Sequence, residues 1–333
     1  MKQYKNYGTC DIDSRNYVYM AHFGFKVVSL NDDVTIFEDN HPFSERKSKL
    51  QVANVVVNEN INEVIVMNFN GDFTLYKIIP ESKKIIKTYV YCQRHGNISR
   101  CDVCSYWILK SGFAFFMDDS KENDKRLIRV ISSNGSIQDY YYPKMLYGFA
   151  LGSGLGSLKI QIAKRDVESE NNIYTFNDKF ASDKDIFLKR DDLRKSLPDG
   201  KLFEGLIKEN NDEIGIFIDS NNDLCFKKYS NGKWDLIEKK KLKFYKSNTS
   251  SAYHILTKDG KFGIIEYQEY FCLNSEISMK IRIDFNNIKK KISLSNKYQP
   301  SHIICANDKY ICIYSSLGRN SIIVLNIDEL EDE

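Results

Sequence analysis

The stretch from Asn62 to Ile79, NEVIVMNFNGDFTLYKII, contains two strand-like runs on either side of Asn70-Gly71. Val, Ile, Phe, Tyr and Thr favour extended backbone, and an Asn-Gly pair tolerates the positive φ angles of a tight type I′ turn. The pattern therefore predicts a β-hairpin. Similar dipeptides punctuate strand-like runs at Asn134-Gly135, Asp199-Gly200, Asn231-Gly232 and Asp259-Gly260, which predicts short antiparallel strands along the chain.

These strands recur in groups at a fixed spacing. Three segments match one another: Tyr106–Leu109 (YWIL), Tyr253–Leu256 (YHIL) and Ser301–Ile304 (SHII). His254 and His302 are 48 residues apart, and Trp107 and His254 are 147 apart, close to three times 49. A repeat of about 40–50 residues carrying four strands is typical of a β-propeller blade. Weaker counterparts fall near Asn54, Gly148 and Gly205.

We therefore predict an all-β protein in which residues 1–333 form a single β-propeller domain. Seven blades of four antiparallel strands fit the spacing best, and six blades are a close alternative. The blades are placed at about 10–40, 50–91, 104–142, 145–190, 203–246, 253–295 and 301–327. The last contains only three obvious strands, so the N-terminal run QYKNYGT is predicted to supply its fourth and close the ring.

One segment has the character of a helix. In Ser182–Pro198, Ile186, Leu193 and Leu197 lie near helical spacing, Ser182 and Asp185 resemble a capping pair, and Pro198 ends the pattern. This predicts a short helical insert near residues 183–197. Its mixed charges suggest a solvated surface element, with docking of a partner as the alternative.

Composition and charge exclude several classes of protein. The 333 residues are 42% hydrophobic and 28% charged, which excludes a largely disordered chain. The 48 Lys and Arg nearly balance the 45 Asp and Glu, giving a net charge of +3. The N-terminus has no apolar signal region, and no run is long enough for a membrane helix. The eight Cys are expected to be reduced and mostly buried. We therefore expect an intracellular protein, cytoplasmic with the nucleus not excluded, and no membrane partner.

The sharpest local motif is Cys92, His95, Cys101 and Cys104, with the spacing C-x2-H-x5-C-x2-C. Thiolates and imidazole are the ligands of structural zinc sites, so the motif could bind zinc between two blades. Reduced structural cysteines with a surface histidine are the alternative. Because the short spacer favours that alternative, no metal site is predicted.

No catalytic or cofactor-binding residues are predicted. The five His offer no pairing with Ser or Cys that spacing can establish, and the repeated position of His254, His302 and Trp107 indicates packing. Asp11 and Asp13, like Asp118 and Asp119, lack the remainder of a calcium loop and are interpreted as turn residues. Gly152–Gly156 lacks the strand-to-helix context of a dinucleotide site and is interpreted as a turn.

Two lysine runs could contact phosphates. They are Lys239–Lys241 with Lys243 and Lys246, and Lys289–Lys291. Since the overall charge is nearly balanced and Glu238 adjoins the first run, solvated strand edges are the favoured interpretation.

The four-strand pattern resembles WD-repeat-like β-propellers over nearly the whole chain, although the Gly-His and Trp-Asp signatures of that family are missing. The single Trp234-Asp235 pair follows a turn and is predicted to open a strand rather than end one. The resemblance implies a rigid platform for protein–protein interaction as a subunit of an intracellular complex, without catalysis. Two alternatives stay open: a propeller that binds nucleic acid or a ribonucleoprotein through the lysine runs, and an enzyme with its site at a central channel.

Overall fold

The structure, a computed structural model, describes most of the N-terminal third of the chain and shorter segments elsewhere. The described residues are 2–43, 51–92, 102–109, 111–118, 125–143, 146–151, 158–164, 172–176, 187–189, 201–209, 212–218, 221, 223–241, 252–256, 262–266, 269–273, 278–282, 302–307, 309–315 and 320–326. Their strands fall into two compact units, residues 1–100 with 133–135 and 250–333, and residues 101–132 with 136–249. None of the helices in these residues is long and apolar enough to cross a membrane.

The first unit contains four antiparallel sheets of four strands each. One sheet joins β1 (Lys2–Lys5) to β28 (Ser321–Asn326), β27 (Tyr310–Ser315) and β26 (His302–Ala306). The next contains β2 (Thr9–Ile12), β3 (Tyr17–Ala21), β4 (Phe25–Ser29) and β5 (Val34–Asp39). The third contains β6 (Val52–Asn58), β7 (Glu63–Asn68), β8 (Phe73–Ile79) and β9 (Lys84–Tyr91), with a 3-10 turn at Pro80–Ser82. The fourth contains β22 (Ala252–Leu256), β23 (Phe262–Glu266), β24 (Glu269–Leu273) and β25 (Ser278–Arg282).

The second unit contains three further four-stranded antiparallel sheets. The first has β10 (Asp102–Ile108), β11 (Gly112–Asp118), β12 (Lys125–Ser132) and β13 (Ile137–Pro143). The second has β14 (Leu146–Leu151), β15 (Leu158–Lys164), β16 (Asn172–Phe176) and β17 (Phe187–Lys189). The third has β18 (Lys201–Glu209), β19 (Asp212–Ile218), β20 (Asp223–Ser230) and β21 (Lys233–Lys241).

The predicted blades and the sheets agree closely, with one sheet inside each predicted range apart from shifts of one to three residues at the ends. The repeated positions at Trp107, His254 and His302 all lie in the first strand of their sheets, β10, β22 and β26. The strand β1 is hydrogen bonded to β28, with Lys2 opposite Val324. Closure of a ring by this strand stays a prediction, as do the single domain and the number of blades.

The predicted helical insert near residues 183–197 is wrong where the structure describes it. Phe187–Lys189 is the strand β17, which pairs with β16 so that Phe187 lies opposite Phe176. The local spacing of apolar residues suits a helix, but pairing with a neighbouring strand decides the backbone here. The other residues of the segment lie outside the described part of the chain.

The glycine turns are of two kinds. At Asn231-Gly232 both φ angles are positive, 51° and 79°, and Ser230 pairs directly with Lys233, as in a type I′ turn. At Asn70-Gly71 only the glycine has a positive φ, 80°, so the predicted type I′ turn is wrong. The side-chain oxygen of Asn68 accepts hydrogen bonds from the N–H groups of Asn70 and Asp72, both at 2.9 Å, and this holds a longer loop.

The sheet β2–β5 is covered on both faces. Side chains alternate along a strand, so Tyr17, Tyr19 and Ala21 of β3 pack with apolar residues of the β6–β9 sheet. Val18 and Met20, between them, pack with residues of the sheet that contains β26–β28. Strands buried on both faces are continuously apolar, as β3 is. Full burial of each such side chain contributes about 1.5–3 kcal/mol to folding.

Polar contacts connect the first strands of neighbouring sheets. The strand β2 contacts both β6 and β26. The buried carboxylate of Asp11 accepts a hydrogen bond from the backbone N–H of Val57, in β6, at 2.8 Å. From the other side, the Asn307 side-chain amide donates to the backbone carbonyl of Asp13 at 2.8 Å. Asp11 therefore lies within a strand and bridges two sheets, which corrects its interpretation as a turn residue.

Asp13 follows β2 in a turn, as predicted, and is fully buried. Its carboxylate accepts hydrogen bonds from the backbone N–H groups of Arg15 and Tyr17, at 3.0 and 2.9 Å. The Arg15 guanidinium and the Tyr19 hydroxyl also donate to it, each at 2.8 Å. Burial and the charge of Asp13 raise the pKa of Tyr19 well above its usual value, so its hydroxyl remains a donor. The carboxylate thus organises the turn between β2 and β3.

Replacing Asp13 by Asn should lower the free energy of unfolding by about 2–4 kcal/mol, because it leaves the Arg15 charge and several donors without an anionic partner. Urea-induced unfolding measures the change. Asp32→Asn is the matched control, since that carboxylate pairs with Lys83 and is 55% exposed. The control should lose less than about 1 kcal/mol. Equal losses in the two variants would contradict the role assigned to Asp13.

Candidate functional site

An open cleft of about 530 Å³ lies in the first unit. It is formed where the turn after β1, the β3–β4 turn, the end of β5 and the residue before β28 come together. Its lining includes Lys5, Tyr7, His22, Phe23, Glu38 and Asn320. The cleft therefore lies between the sheet that contains β1 and the sheet β2–β5. We refer to it below as the His22 cleft.

The turn between β1 and β2 allows His22 to lie close to the backbone. Asn6 has a positive φ of 67°, which reverses the chain after β1. A Cβ atom at Gly8 would stand 3.1 Å from Cδ2 of His22, tighter than an ordinary contact. The N–H of Gly8 donates to the carbonyl of Ala21 at 2.9 Å, which fixes this approach. A glycine at this position therefore leaves room for the imidazole.

A chain of hydrogen bonds fixes the wall of the cleft. The Tyr314 hydroxyl donates to Oδ1 of Asn320 at 2.8 Å, and this orients the amide so that its Nδ2 faces His22. Asn320 Nδ2 then donates to Nε2 of His22 at 3.3 Å. The Asn320 carbonyl also accepts the N–H of Tyr7 at 3.1 Å. The wall is therefore rigid before any ligand arrives.

His22 is neutral in this arrangement. Partial burial lowers its pKa below the ordinary value of 6.5. Because Nε2 accepts from Asn320, the ring proton is placed on Nδ1. The imidazole therefore presents a polar but uncharged surface at neutral pH.

The rim of the cleft combines one exposed aromatic ring with two charges of opposite sign. Phe23 is 43% exposed, and its ring centroid lies 4.2 Å from that of His22. Lys5 is exposed, and Glu38 lies 3.5 Å from the ammonium group of Lys26. Burial, followed by the charge of Glu38, raises the pKa of Tyr7. The rim thus offers an apolar contact between a cation and an anion.

The described side-chain hydrogen bond of His22 bears on what the cleft can do chemically. A nucleophile needs an adjacent base, and a catalytic base needs a group that orients it toward the nucleophile. Within the described residues, His22 is hydrogen bonded to an amide and to no carboxylate, hydroxyl or thiol.

The C-x2-H-x5-C-x2-C motif, which could bind zinc, cannot be assembled from the described residues. Cys92 is exposed, which departs from the expectation of buried thiols, and its thiol donates to the carbonyl of Phe43 at 2.8 Å. Cys104 lies in β10, and its side chain is outside the described part. His95 and Cys101 lie outside it altogether. The described residues therefore test neither zinc binding nor the favoured alternative, reduced structural cysteines with a surface histidine.

Other residues singled out from the sequence are also partly described. Lys239–Lys241 end the strand β21, and Lys239 is exposed. Trp234-Asp235 lies near the start of β21, as predicted. The side chains of His254 and His302, the glycines of Gly152–Gly156 and the second lysine run, Lys289–Lys291, lie outside the described part.

A group of three buried thiols was not predicted. The sulfur atoms of Cys10, Cys305 and Cys312 lie within 4.8 Å of one another, and those of Cys10 and Cys305 are 3.6 Å apart. Cys10 and Cys305 are 295 residues apart in the chain, so their spacing gives no signal. The one available signal was the antiparallel hairpin of β26 and β27, which places Cys305 opposite Cys312.

Comparison with known proteins identifies the fold. Neither a protein-family model nor a curated protein matches the sequence. Raptor from Chaetomium thermophilum superposes with a TM-score of 0.54 and 10% identity over 97% of this chain, which spans 28% of Raptor. The β-propeller domain of Cps50 (Swd1) from Myceliophteria thermophila gives 0.54 and 8% identity, covering 98% of this chain and 100% of that domain.

A third similar structure is the C-terminal WD40 domain of Sif2, with a TM-score of 0.49 and 12% identity over 97% of this chain and 96% of that one. At these identities the likeness shows the fold alone. The predicted WD-repeat-like β-propeller architecture is confirmed.

The neutral state of His22 predicts a specific pH dependence of stability. Because the folded-state pKa is lowered, the unfolded chain takes up a proton first as the pH falls. The contribution of neutral His22 to the free energy of unfolding is therefore complete above the pKa of the unfolded chain, near 6.5. It is lost as the pH falls toward the lower pKa of the folded state. Urea unfolding at about pH 7.5, 6.5 and 5.5 should therefore show a steeper loss for the wild type than for His22→Gln. Parallel losses in both proteins would argue against a neutral, partly buried imidazole.

Proposed function

We propose that the protein is a non-enzymatic interaction scaffold, a subunit of an intracellular complex, and that the His22 cleft receives a peptide segment of a protein partner. The observation that carries this proposal is the cleft itself, an open concavity with a half-exposed aromatic ring above a hydrogen-bonded wall. The WD-repeat-like fold supports it, because resemblance to that family implies a platform for other proteins.

The apolar part of the contact is provided by Phe23. Its exposed ring leaves apolar area in water, and covering that area with an aliphatic or aromatic side chain of the partner is favourable. Phe25, which also lines the cleft, is 1% exposed and supports the site from below. Aromatic residues in concave, well-packed sites supply much of the binding energy of protein interfaces.

The polar part of the contact is provided by Lys5 and Glu38. Charges at the edge of an interface mainly determine orientation and the rate of association. A peptide that places an apolar side chain against Phe23 could also place an acidic group near Lys5 and a basic group near Glu38, where it would compete with Lys26. The fixed Tyr314–Asn320–His22 chain reduces the entropy lost on binding.

The double substitution Phe23→Ser and Lys5→Glu should weaken capture of the partner at least tenfold. The tagged chain is isolated from its native source, and partners are quantified by mass spectrometry against the wild type. The identified partner is then titrated directly against both purified proteins. Val34→Ser is the control, because Val34 is 52% exposed on β5 and does not line the cleft. Partner capture that survives the double substitution would contradict the proposed site.

Binding of nucleic acid is the second candidate, and one observation favours it. On β21 the exposed Lys239 lies close in sequence to Leu236 and Ile237, which are 56% and 47% exposed. Such a surface could combine phosphate contacts with stacking or apolar contacts. No described contact favours the third alternative, a catalytic site at a central channel.

Salt dependence separates these candidates. Under the favoured proposal, a fluorescent single-stranded RNA should bind only weakly at about 50 mM salt, and Lys239→Glu should change that binding by less than twofold. If nucleic acid is the partner, affinity should fall by a factor of ten or more between about 50 and 200 mM salt. Fluorescence anisotropy measures both quantities. Strong, salt-sensitive binding that Lys239→Glu abolishes would replace the favoured proposal.

A further inference from the structure

Three thiols from three different strands meet in the interior of the first unit. Cys10 lies in β2, Cys305 in β26 and Cys312 in β27. Their relative exposures are 2%, 6% and 0%. The three sulfur atoms lie within 4.8 Å of one another, and the Cys10 and Cys305 sulfurs are 3.6 Å apart. We call this group the cysteine cluster.

The fold brings the cysteine cluster together in two ways. Cys305 and Cys312 are direct partners in the antiparallel pair β26–β27, so their side chains lie on the same face. The register of that pair shifts between Ile303 and Cys305, a bulge of the kind that re-aims side chains. Cys10 reaches the same point from β2, across the interface between two sheets.

The separations of the sulfurs fit a single metal ion. A thiolate lies about 2.3 Å from a bound zinc-sized ion, and copper(I) thiolate bonds are of similar length. Two sulfurs of one site are then about 3.8–4.0 Å apart, for tetrahedral or trigonal geometry. The Cys10–Cys305 distance, 3.6 Å, and the upper bound of 4.8 Å for all three pairs are compatible with these values. Only small movements would be needed to surround an ion.

The surroundings of the cluster select the kind of ion. They are apolar, with Ile12, Val18, Ile322 and Val324 in the same buried group. Zinc is almost always four-coordinate in structural sites, whereas soft thiolate and thioether ligands also suit copper(I). Met20, the cross-strand partner of Cys10, belongs to the same buried group and carries a thioether. We propose that Cys10, Cys305 and Cys312 bind copper(I), a soft monovalent ion that needs no fourth oxygen or nitrogen ligand.

The balance of protons and charge is consistent with a monovalent ion. Each thiol that binds as a thiolate releases one proton, and no electron is transferred. The position is buried and apolar, so an excess of negative charge from several thiolates is unfavourable there. One thiolate with neutral sulfur ligands leaves a net charge of zero, and two leave minus one. Binding is therefore expected to release one or two protons for each copper(I).

Competition with a coloured copper(I) chelator tests the proposal on the full chain. Cys92→Ser and Cys104→Ser are introduced first, because they remove two residues of the separate cysteine and histidine motif that could bind zinc. The protein is incubated overnight with bathocuproine disulfonate, copper and ascorbate, since the buried sulfurs become accessible only on local opening. We expect each chain to remove one copper(I) from the chelator. The Cys312→Ala variant should bind copper(I) at least tenfold more weakly.

Cys225→Ala is the matched control, because Cys225 is also buried but lies in β20 of the second unit. It should retain copper(I) within twofold of the parent protein. Failure of the parent to withdraw copper, or equal retention by Cys312→Ala, would overturn the proposal.

If Cys312→Ala does not fold, X-ray absorption of the copper-loaded parent protein still tests the proposal. The parent protein keeps all three residues of the cysteine cluster. The spectrum should show two or three sulfur neighbours at about 2.2–2.3 Å from the metal. A first shell of nitrogen or oxygen would contradict binding at the cysteine cluster.

Discussion

The sheet β2–β5 has apolar side chains on both faces, and this one constraint governs the structure around it. Alone in water, such a sheet would leave at least one face exposed. Tyr19 on one face and Met20 on the other are both 0% exposed, because a neighbouring sheet covers each face. The stability of the sheet β2–β5 therefore depends on the two sheets that cover its faces. A propeller blade is stabilised in the same way, by the blades packed on either side of it.

The polar groups at the ends of the first strands make this packing specific. At the ends of β2, β6 and β26, a side-chain oxygen accepts a hydrogen bond from the backbone N–H two residues later; the acceptors are Asp13, Asn58 and Asn307. Other polar atoms of these turns connect two sheets: the side-chain amide of Asn307 donates to the backbone carbonyl of Asp13. Apolar burial alone does not fix how one sheet is aligned with the next, because it is non-directional. The hydrogen bonds between the sheets fix that alignment.

Much of the fold could be predicted from the sequence because turns and strands are local. The spacing of about 49 residues located the strands β6, β10, β14, β18, β22 and β26, and Asn231-Gly232 forms the turn that its residues predict. Two local predictions were wrong because other contacts decide the backbone conformation. The predicted helix at Phe187–Lys189 is a strand paired with β16, and the side chain of Asn68 holds a longer loop in place of the predicted tight turn at Gly71. Asp11 was likewise assigned to a turn, although it bridges two sheets.

The candidate sites could not be predicted for the same reason. The His22 cleft requires Asn320 to meet His22, and the cysteine cluster requires Cys305 to meet Cys10, across 298 and 295 residues. Both lie between the sheet containing β1 and the sheet β2–β5. The N-terminal run was predicted to join the last sheet, and β1 does pair with β28, but the spacing does not show which side chains meet between two sheets.

Hydrogen exchange resolved along the chain tests most directly whether mutual covering of sheets stabilises the first unit. Amides of β2, β3 and β6, which are mostly buried, should exchange most slowly, and those of the more exposed outer strands β5 and β9 most quickly. This gradient is the predicted result. Equal exchange across the four strands of each sheet, or slower exchange in β5 and β9 than in β2 and β6, would contradict the account.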